Sequence, residues 1–228
     1  MAIKTKDEYI ESLRKMKPVV YMFGEKIESV VDNPRLRAGI EATAATYEIA
    51  EMPEYRDSVL AKSPLTGELV NRYTLPPSSI EDLVARVKNN RMLGGRVGTC
   101  FQRCTGLDCM SALSIVTYNI DQKYGTPYNA RLQEFLKHVQ KNDLTCNAGV
   151  TDVKGDRSLN PNEQPDKDMY LRVVERRKDG IIVRGAKAHQ TGSLNSHEII
   201  VLPTRALKKE DRDYAVAFAI PADAEGIV

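Results

Sequence analysis

The spacing of apolar residues changes from about 3.6 to 2 near Asn142, and that switch decides what the chain can fold into. Before it, Thr5-Lys6-Asp7-Glu8 predicts a capping box ahead of Tyr9, Ile10 and Leu13, which share one helical face. Asn33-Pro34 reads as an N-cap followed by proline at the first helical position, with Ile40, Ala44, Tyr47 and Ile49 inward. Ser78-Ser79-Ile80-Glu81 opens another helix, with Ile80, Leu83, Val84 and Val87 as its expected buried stripe. Pro64, Pro76 and Pro77 bracket the loop between these two helices. The longest helical pattern runs from about Thr99 to Tyr124 through Met110, Leu113, Val116 and Ile120, and Gly125-Thr126-Pro127 ends it. Asn129 to Lys141 forms a further amphipathic helix, with Leu132, Phe135, Leu136 and Val139 inward.

After Asn142 the pattern alternates. Leu171 and Val173, then Ile181 to Gly185, flank Asp179-Gly180, a pair that signals a type I′ hairpin. His197 to Pro203 and Tyr214 to Ile220 read as two more strands. The fold class is α+β in two sequential blocks, a helical domain over 1–142 and an antiparallel β-domain over 143–228. No internal repeat or low-complexity segment interrupts them.

The 33 basic and 31 acidic residues nearly cancel, so no global electrostatic case for nucleic acid exists. No run approaches the roughly 18 apolar residues of a membrane span. Met1 to Glu8 lacks the apolar core of a secretory signal, and the four cysteines then read as reduced cytoplasmic thiols. Metal ligation is favoured over a disulfide framework. Tyr214 to Pro221 alternates like a strand, and the chain stops soon after, at Val228. Such an ending suggests the front part of a longer polypeptide, the alternative being an edge strand that closes the domain.

Cys100 and Cys104 stand in Thr99-Cys-Phe-Gln-Arg-Cys-Thr105. On an unbroken helix their sulfurs lie about 40° apart, so both thiolates could reach one soft metal centre. Two buried thiols acting as small hydrophobes are the plain alternative. Cys109, about 140° from Cys104, belongs to the opposite face, and Cys146 sits in the helix-to-sheet connection. Two cysteines make at most half of an iron–sulfur site, and among local imidazoles only His138 and His189 could add to it. Zinc usually shows closer pairs such as CxxC.

Two further segments carry chemistry. Ala148-Gly-Val-Thr151 and Asp152 to Arg157 form a loop of small, hydroxyl and charged residues. Its amides could cradle an anion, with Lys154 and Arg157 pairing phosphate, unless it is a plain surface turn. Arg184-Gly-Ala-Lys-Ala-His-Gln-Thr-Gly-Ser193 could lie flat against a planar ring, since its glycines permit close approach.

Val20 to Ile27, Cys100 to Cys104, Tyr118 to Gly125, Lys154 to Arg157 and Arg184 to Ser193 together resemble the 4-hydroxybutyryl-CoA dehydratase family, over essentially the whole chain. The wider superfamily includes the flavin-dependent 4-hydroxyphenylacetate 3-monooxygenases. The resemblance implies an acyl-CoA dehydrogenase-like fold whose C-terminal helical bundle is absent from these residues. It implies FAD against Ala148, Gly149, Val150, Thr151, Lys154, Gly155, Asp156, Arg157, Gln190 and Thr191, and a [4Fe–4S] cluster with Cys100 and Cys104 as two of its ligands. The implied reaction dehydrates 4-hydroxybutyryl-CoA to crotonyl-CoA and isomerises vinylacetyl-CoA, through a one-electron route that makes the C3 hydrogen acidic.

The remaining cluster ligands and the catalytic carboxylates are then expected outside this chain, leaving His189 as a weak candidate for contact with flavin or substrate. The implied partners are an acyl-CoA and either further copies of the chain, as a homotetramer, or a complementing C-terminal chain. A flavin-dependent aromatic hydroxylase of the same superfamily is the alternative, and a non-enzymatic helical interaction module is a third reading. In the hydroxylase branch the two cysteine positions do not hold a cysteine pair, so the thiols favour the dehydratase.

Overall fold

A computed structural model describes residues 3–228. The reading of the extreme N-terminus rests partly on Met1 and Ala2, which lie outside the described residues.

Helix α1 (Lys6–Lys15) starts at the foreseen capping box, where the Glu8 amide donates to Thr5 Oγ1 (3.1 Å) and the Thr5 amide donates to Glu8 Oε2 (2.8 Å). It buries Tyr9 and Leu13. A short hairpin follows, β1 (Tyr21–Met22) and β2 (Glu25–Lys26), turned by Phe23 and Gly24 at φ 54° and 83°. Helix α2 (Arg37–Glu51) begins three residues later than the Asn33-Pro34 signal, because Asn33 caps a separate turn by accepting from the Arg35 amide (2.9 Å). Between α2 and α4 the loop expectation fails. That stretch holds α3 (Pro53–Val59) and a second hairpin, β3 (Leu60–Lys62) with β4 (Leu69–Asn71).

Helix α4 (Ile80–Val97) has the foreseen Ser79 cap but the opposite face inward. Ile80, Leu83, Val84 and Val87 are exposed, Ile80 by 75%. The charged side is tied to the protein instead, through Asp82 to Arg72 (2.5 Å) and Arg86 to Asp108. Asn89 donates to the Ser58 carbonyl (2.8 Å), and Leu93 enters the core.

Helix α5 (Cys104–Tyr124) also begins late. Gly98 at φ 63° terminates α4, and Gln102 at φ 60° bends the linker, so Thr99 to Arg103 is not helical. Helix α6 (Tyr128–Lys141) buries Leu132, Leu136 and Val139 as foreseen. The Asp121 carboxylate at the end of α5 takes the amides of Tyr128 (3.0 Å) and Asn129 (2.7 Å), which sets the α5–α6 corner.

The second block contains β5 (Cys146–Gly149), β6 (Arg172–Arg176), β7 (Ile181–Arg184), β8 (Glu198–Val201) and β9 (Phe218–Pro221). Strands β6 and β7 pair antiparallel, with Arg176 opposite Ile181. Their loop is not the expected type I′ turn. Neither Asp179 nor Gly180 has positive φ, and the Arg177 amide donates to the Gly180 carbonyl (2.8 Å) across a four-residue connection. Strand β8 is central, antiparallel to β9 but parallel to β5, so the sheet is mixed where antiparallel pairing was expected. The strand expected from Tyr214 starts only at Phe218.

The architecture is α+β. One core joins Ile49, Leu93, Leu107, Met110, Leu136 and Val139 to Cys146 and Ile200 of the sheet. A second surrounds Tyr9, Ile40 and Tyr47. Among the described residues no helix is long and apolar enough to cross a membrane.

Candidate functional site

The Cys100–Cys104 segment turns rather than coils. Alternate residues go inward and outward: Phe101 and Arg103 are buried, whereas Cys100 is exposed and Cys104 half-buried. Phe101 packs edge-on against Tyr73, with centroids 5.4 Å apart. The two cysteines therefore share no helix, but their thiols remain neighbours. Burial first, then the adjacent Cys100 thiol and Asp108, push the Cys104 pKa upward. Cys109 is buried as foreseen, and desolvation raises its thiol to about 11. Cys146 is more deeply buried in β5, and its thiol is pushed up strongly by the same cause. These last two are inert core thiols.

The flavin-loop candidates assemble beside that turn. Ala148 and Gly149 end β5, and Val150 and Thr151 continue toward Asp152, which bridges to Lys187. The Ala188 amide donates to the Thr151 carbonyl (2.8 Å), and Gln190 Nε2 reaches the same oxygen (3.3 Å). Residues 148–152 and 187–191 thus form one small-residue platform, with Thr191 exposed at its edge. The platform meets the cysteine turn directly. Asn195 Nδ2 donates to Gln102 Oε1 (2.6 Å), Thr105 Oγ1 lies 3.4 Å from Asn147 Oδ1, and Asn147 Nδ2 donates to the Gln190 carbonyl (3.4 Å). Gly192 at φ 88° admits Gln102, since a Cβ there would sit 2.9 Å from its Oε1. A cavity of about 550 Å³ opens on the platform, with Gly149, Gln190 and Ser193 on one wall and Val19, Val20 and Phe218 among its apolar residues.

Lys154 to Arg157 form a rigid turn just beyond. Gly155 at φ 53° allows Met169 and Gln164 to close over it, and the Asp156 amide donates to Gln164 Oε1 (3.2 Å). The Asp156 carboxylate holds the Ser158 amide (2.9 Å) and is kept below the usual carboxylate range by its Ser158 contacts. Lys154 and Arg157 stay exposed and could meet a phosphate. His189 is exposed at φ 54°. His138 faces Glu198 (3.5 Å), away from the thiols. Among the described residues no three Cys, His, Asp or Glu side chains converge for a metal. Cys100 and Cys104 offer two soft donors, of the type that iron–sulfur chemistry uses.

Sequence reasoning missed three residues that build this site. Arg103, 1% exposed, was passed over as a spacer between the cysteines. Lys187 is spent inside the platform, donating to the Val150 carbonyl (3.0 Å), Asp152 Oδ1 (2.5 Å) and the Leu202 carbonyl (2.8 Å). His197 accepts from the Thr145 amide at Nδ1 (3.0 Å), and burial with the Lys4 and Arg103 charges holds its pKa down to about 3. An arginine between two cysteines, and a lysine among small residues, are the only local hints of the first two.

The family model described as 4-hydroxyphenylacetate 3-hydroxylase N terminal matches residues 5–228. The chain is 52% identical to the 4-hydroxybutyryl-CoA dehydratase/vinylacetyl-CoA-Δ-isomerase of Clostridium aminobutyricum, covering 99% of this chain and 46% of that protein. It is 30% identical to the oxygenase component of 4-hydroxyphenylacetate 3-monooxygenase from a Geobacillus strain, over 100% of this chain and 46% of the other. An oxygen-tolerant archaeal 4-hydroxybutyryl-CoA dehydratase from N. maritimus superposes with a TM-score of 0.95 at 48% identity, covering 98% of this chain and 44% of that one. A 4-hydroxyphenylacetate 3-monooxygenase oxygenase component complexed with FAD superposes at 0.82 with 25% identity, over 98% and 45%. The chain spans less than half the length of these relatives. With a family model matched from Thr5 to Val228 and the same fold in both branches, this chain belongs to the 4-hydroxyphenylacetate 3-hydroxylase N-terminal family.

Proposed function

We propose that the chain forms the flavin platform and half of the iron–sulfur site of a 4-hydroxybutyryl-CoA dehydratase with vinylacetyl-CoA isomerase activity. The observation that carries this reading is the meeting of the Cys100–Cys104 turn with the 187–195 segment, through Gln102 against Gly192 and Asn195. An aromatic hydroxylase needs no thiol pair there, and the hydroxylase relative is also the more distant one.

The residues fit both groups. Cys100 and Cys104 are accessible soft donors on adjacent positions, and Thr151, Gln190 and Thr191 offer polar edges on a platform flat enough for a ring. When bound, the cluster supplies Lewis acidity toward a substrate hydroxyl and the flavin supplies one-electron chemistry. The chain's own part is positioning. Lys187 ties residues 150, 152 and 202 into a fixed edge, while the amides and hydroxyls around Thr151 and Thr191 orient the ring. Lys154 and Arg157 would grip the cofactor's phosphates. Burial pushes the Cys104 thiol upward, so it would have to give up its proton to serve as a ligand to iron.

The acyl-CoA substrate, the assembly into a homotetramer or with a complementing chain, a cytoplasmic setting and the division into helical and β domains belong to the same proposal. So do the remaining ligands and the catalytic carboxylates, which would come from outside these 228 residues. The deciding experiment isolates the enzyme from its source anaerobically and supplies 4-hydroxybutyryl-CoA. Crotonyl-CoA formation with bound FAD and acid-labile sulfide supports the reading. Hydroxylation of a phenol by reduced flavin and oxygen, without iron, would replace it.

A further inference from the structure

We infer that Arg103 is a positioning residue whose buried ion pair with Asp143 holds the Cys100 and Cys104 thiols together as one bidentate donor. The inference rests on the proposed cluster site but concerns only this chain's own residues.

Arg103 lies between the two thiols and points the other way. Its guanidinium stacks over the Tyr47 ring at 4.1 Å, and Tyr47 itself stacks on Tyr9 with centroids 4.4 Å apart. Nη1 donates to Thr46 Oγ1 (3.3 Å), and Nη2 donates to Asp143 Oδ1 and toward the Leu144 carbonyl (3.5 Å). Asp143 is as buried as its partner, and its other oxygen takes the Lys4 amide (3.1 Å). Asp143 also stands at φ 41°, a conformation a non-glycine residue keeps only when its surroundings hold it.

Such a pair is a poor choice for stability alone. Desolvating both charges costs about as much as their attraction returns, and an apolar pair of similar volume often serves as well. Here one donor, Nε of Arg103, is buried with no hydrogen-bond partner among the described residues. The benefit lies in geometry. An arginine planted in a fixed fork, with Phe101 wedged beside Tyr73, forces the three-residue spacer to alternate in and out. Gln102 is then left at φ 60°, and both sulfurs emerge on the same side although the helix starts only at Cys104. A helix would have aligned them by periodicity, whereas here the ion pair replaces that periodicity.

Phenylarsine oxide tests this without iron. It joins two thiols to one arsenic, forming two As–S bonds and releasing one water with no change in oxidation state. Closure of the second bond is intramolecular, so its rate reports how well the sulfurs are co-positioned. The full chain would be compared with Arg103→Lys, Asp143→Asn and the apolar double variant Arg103→Met/Asp143→Leu. Circular dichroism and the protection of Cys109 and Cys146 from iodoacetamide report folding.

Wild type should carry one arsenic across Cys100 and Cys104. The folded double variant should close the second bond at least about tenfold more slowly and trap singly modified thiols. Unchanged double capture in a folded double variant overturns the inference. So does failure of wild type to bridge the pair. Loss of fold in every variant overturns it too, because the ion pair would then support the whole block rather than the turn. Failure of the cluster reading looks different: wild type would bridge arsenic in an Arg103-dependent way, yet the enzyme isolated anaerobically from its source would carry no iron and no acid-labile sulfide.

Discussion

A Cβ at Gly106 would stand 2.2 Å from the carbonyl oxygen of Cys146. The first turn of α5 therefore rests on the backbone of β5, and this contact sets the distance between the cysteine turn and the platform of residues 148–152 and 187–191. The obstructing atom is backbone and cannot swing aside. Gly106→Ala should destabilise the chain by about 3 kcal/mol, the upper range for overpacking, with a lowered midpoint in urea unfolding. Gly94→Ala meets open space within α4 and should leave the midpoint unchanged or raise it.

The thiols should separate by function. In the enzyme purified anaerobically, Cys100→Ser and Cys104→Ser should each abolish iron retention while changing stability by no more than about 1 kcal/mol. Cys109→Ser, which puts a hydroxyl in an apolar core, should cost about 1–3 kcal/mol and keep the iron. Cadmium binding, read as sulfur-to-metal charge-transfer absorbance, should strengthen as pH rises, because the raised Cys104 thiol must lose its proton first.

His197 makes stability depend on acid. The Thr145 amide donates to Nδ1, so Nε2 carries the proton and faces Ser12 Oγ (2.8 Å), and the ring is neutral. Its folded pKa of about 3 lies below the ordinary 6.5, so the unfolded chain binds the extra proton between those values. The contribution is complete above about pH 6.5 and is lost as pH falls toward about 3, on the order of 5 kcal/mol in all. Thermal unfolding across that window should show the slope, and His197→Asn, which keeps an acceptor for Thr145, should flatten it.

Lys187→Met should loosen the platform. It leaves the Val150 and Leu202 carbonyls without their ammonium and Asp152 with Thr204 Oγ1 (2.8 Å) as its remaining donor. The expected cost is about 3 kcal/mol, with weaker FAD binding by fluorescence quenching. Arg184→Gln, on the exposed end of β7, should change neither.

Legibility in the sequence followed how local each cause was. The Thr5–Glu8 box, the Ser79 cap and the inward face of α6 all act within one or two helical turns, and each stands where its residues place it. The Ile80–Val87 stripe was misjudged because periodicity shows that a helix has an apolar face, not what covers it. The turn at Asp179-Gly180 was misjudged because its strands leave four residues between them, which removes the demand for positive φ.

Short-range chemistry alone was enough to determine two blocks of different period, a pair of soft donors four residues apart, and a segment of small residues with Gly185 and Gly192 that permits close approach. Only the folded chain decided that the donors leave from a turn, that Arg103 and Asp143 hold that turn from 40 residues apart, and that Gln102 locks it to Gly192 and Asn195. Periodicity records each residue's preference along its own element. The meeting of distant segments depends on buried charge, close backbone approach and shared packing, which no stretch of sequence carries by itself.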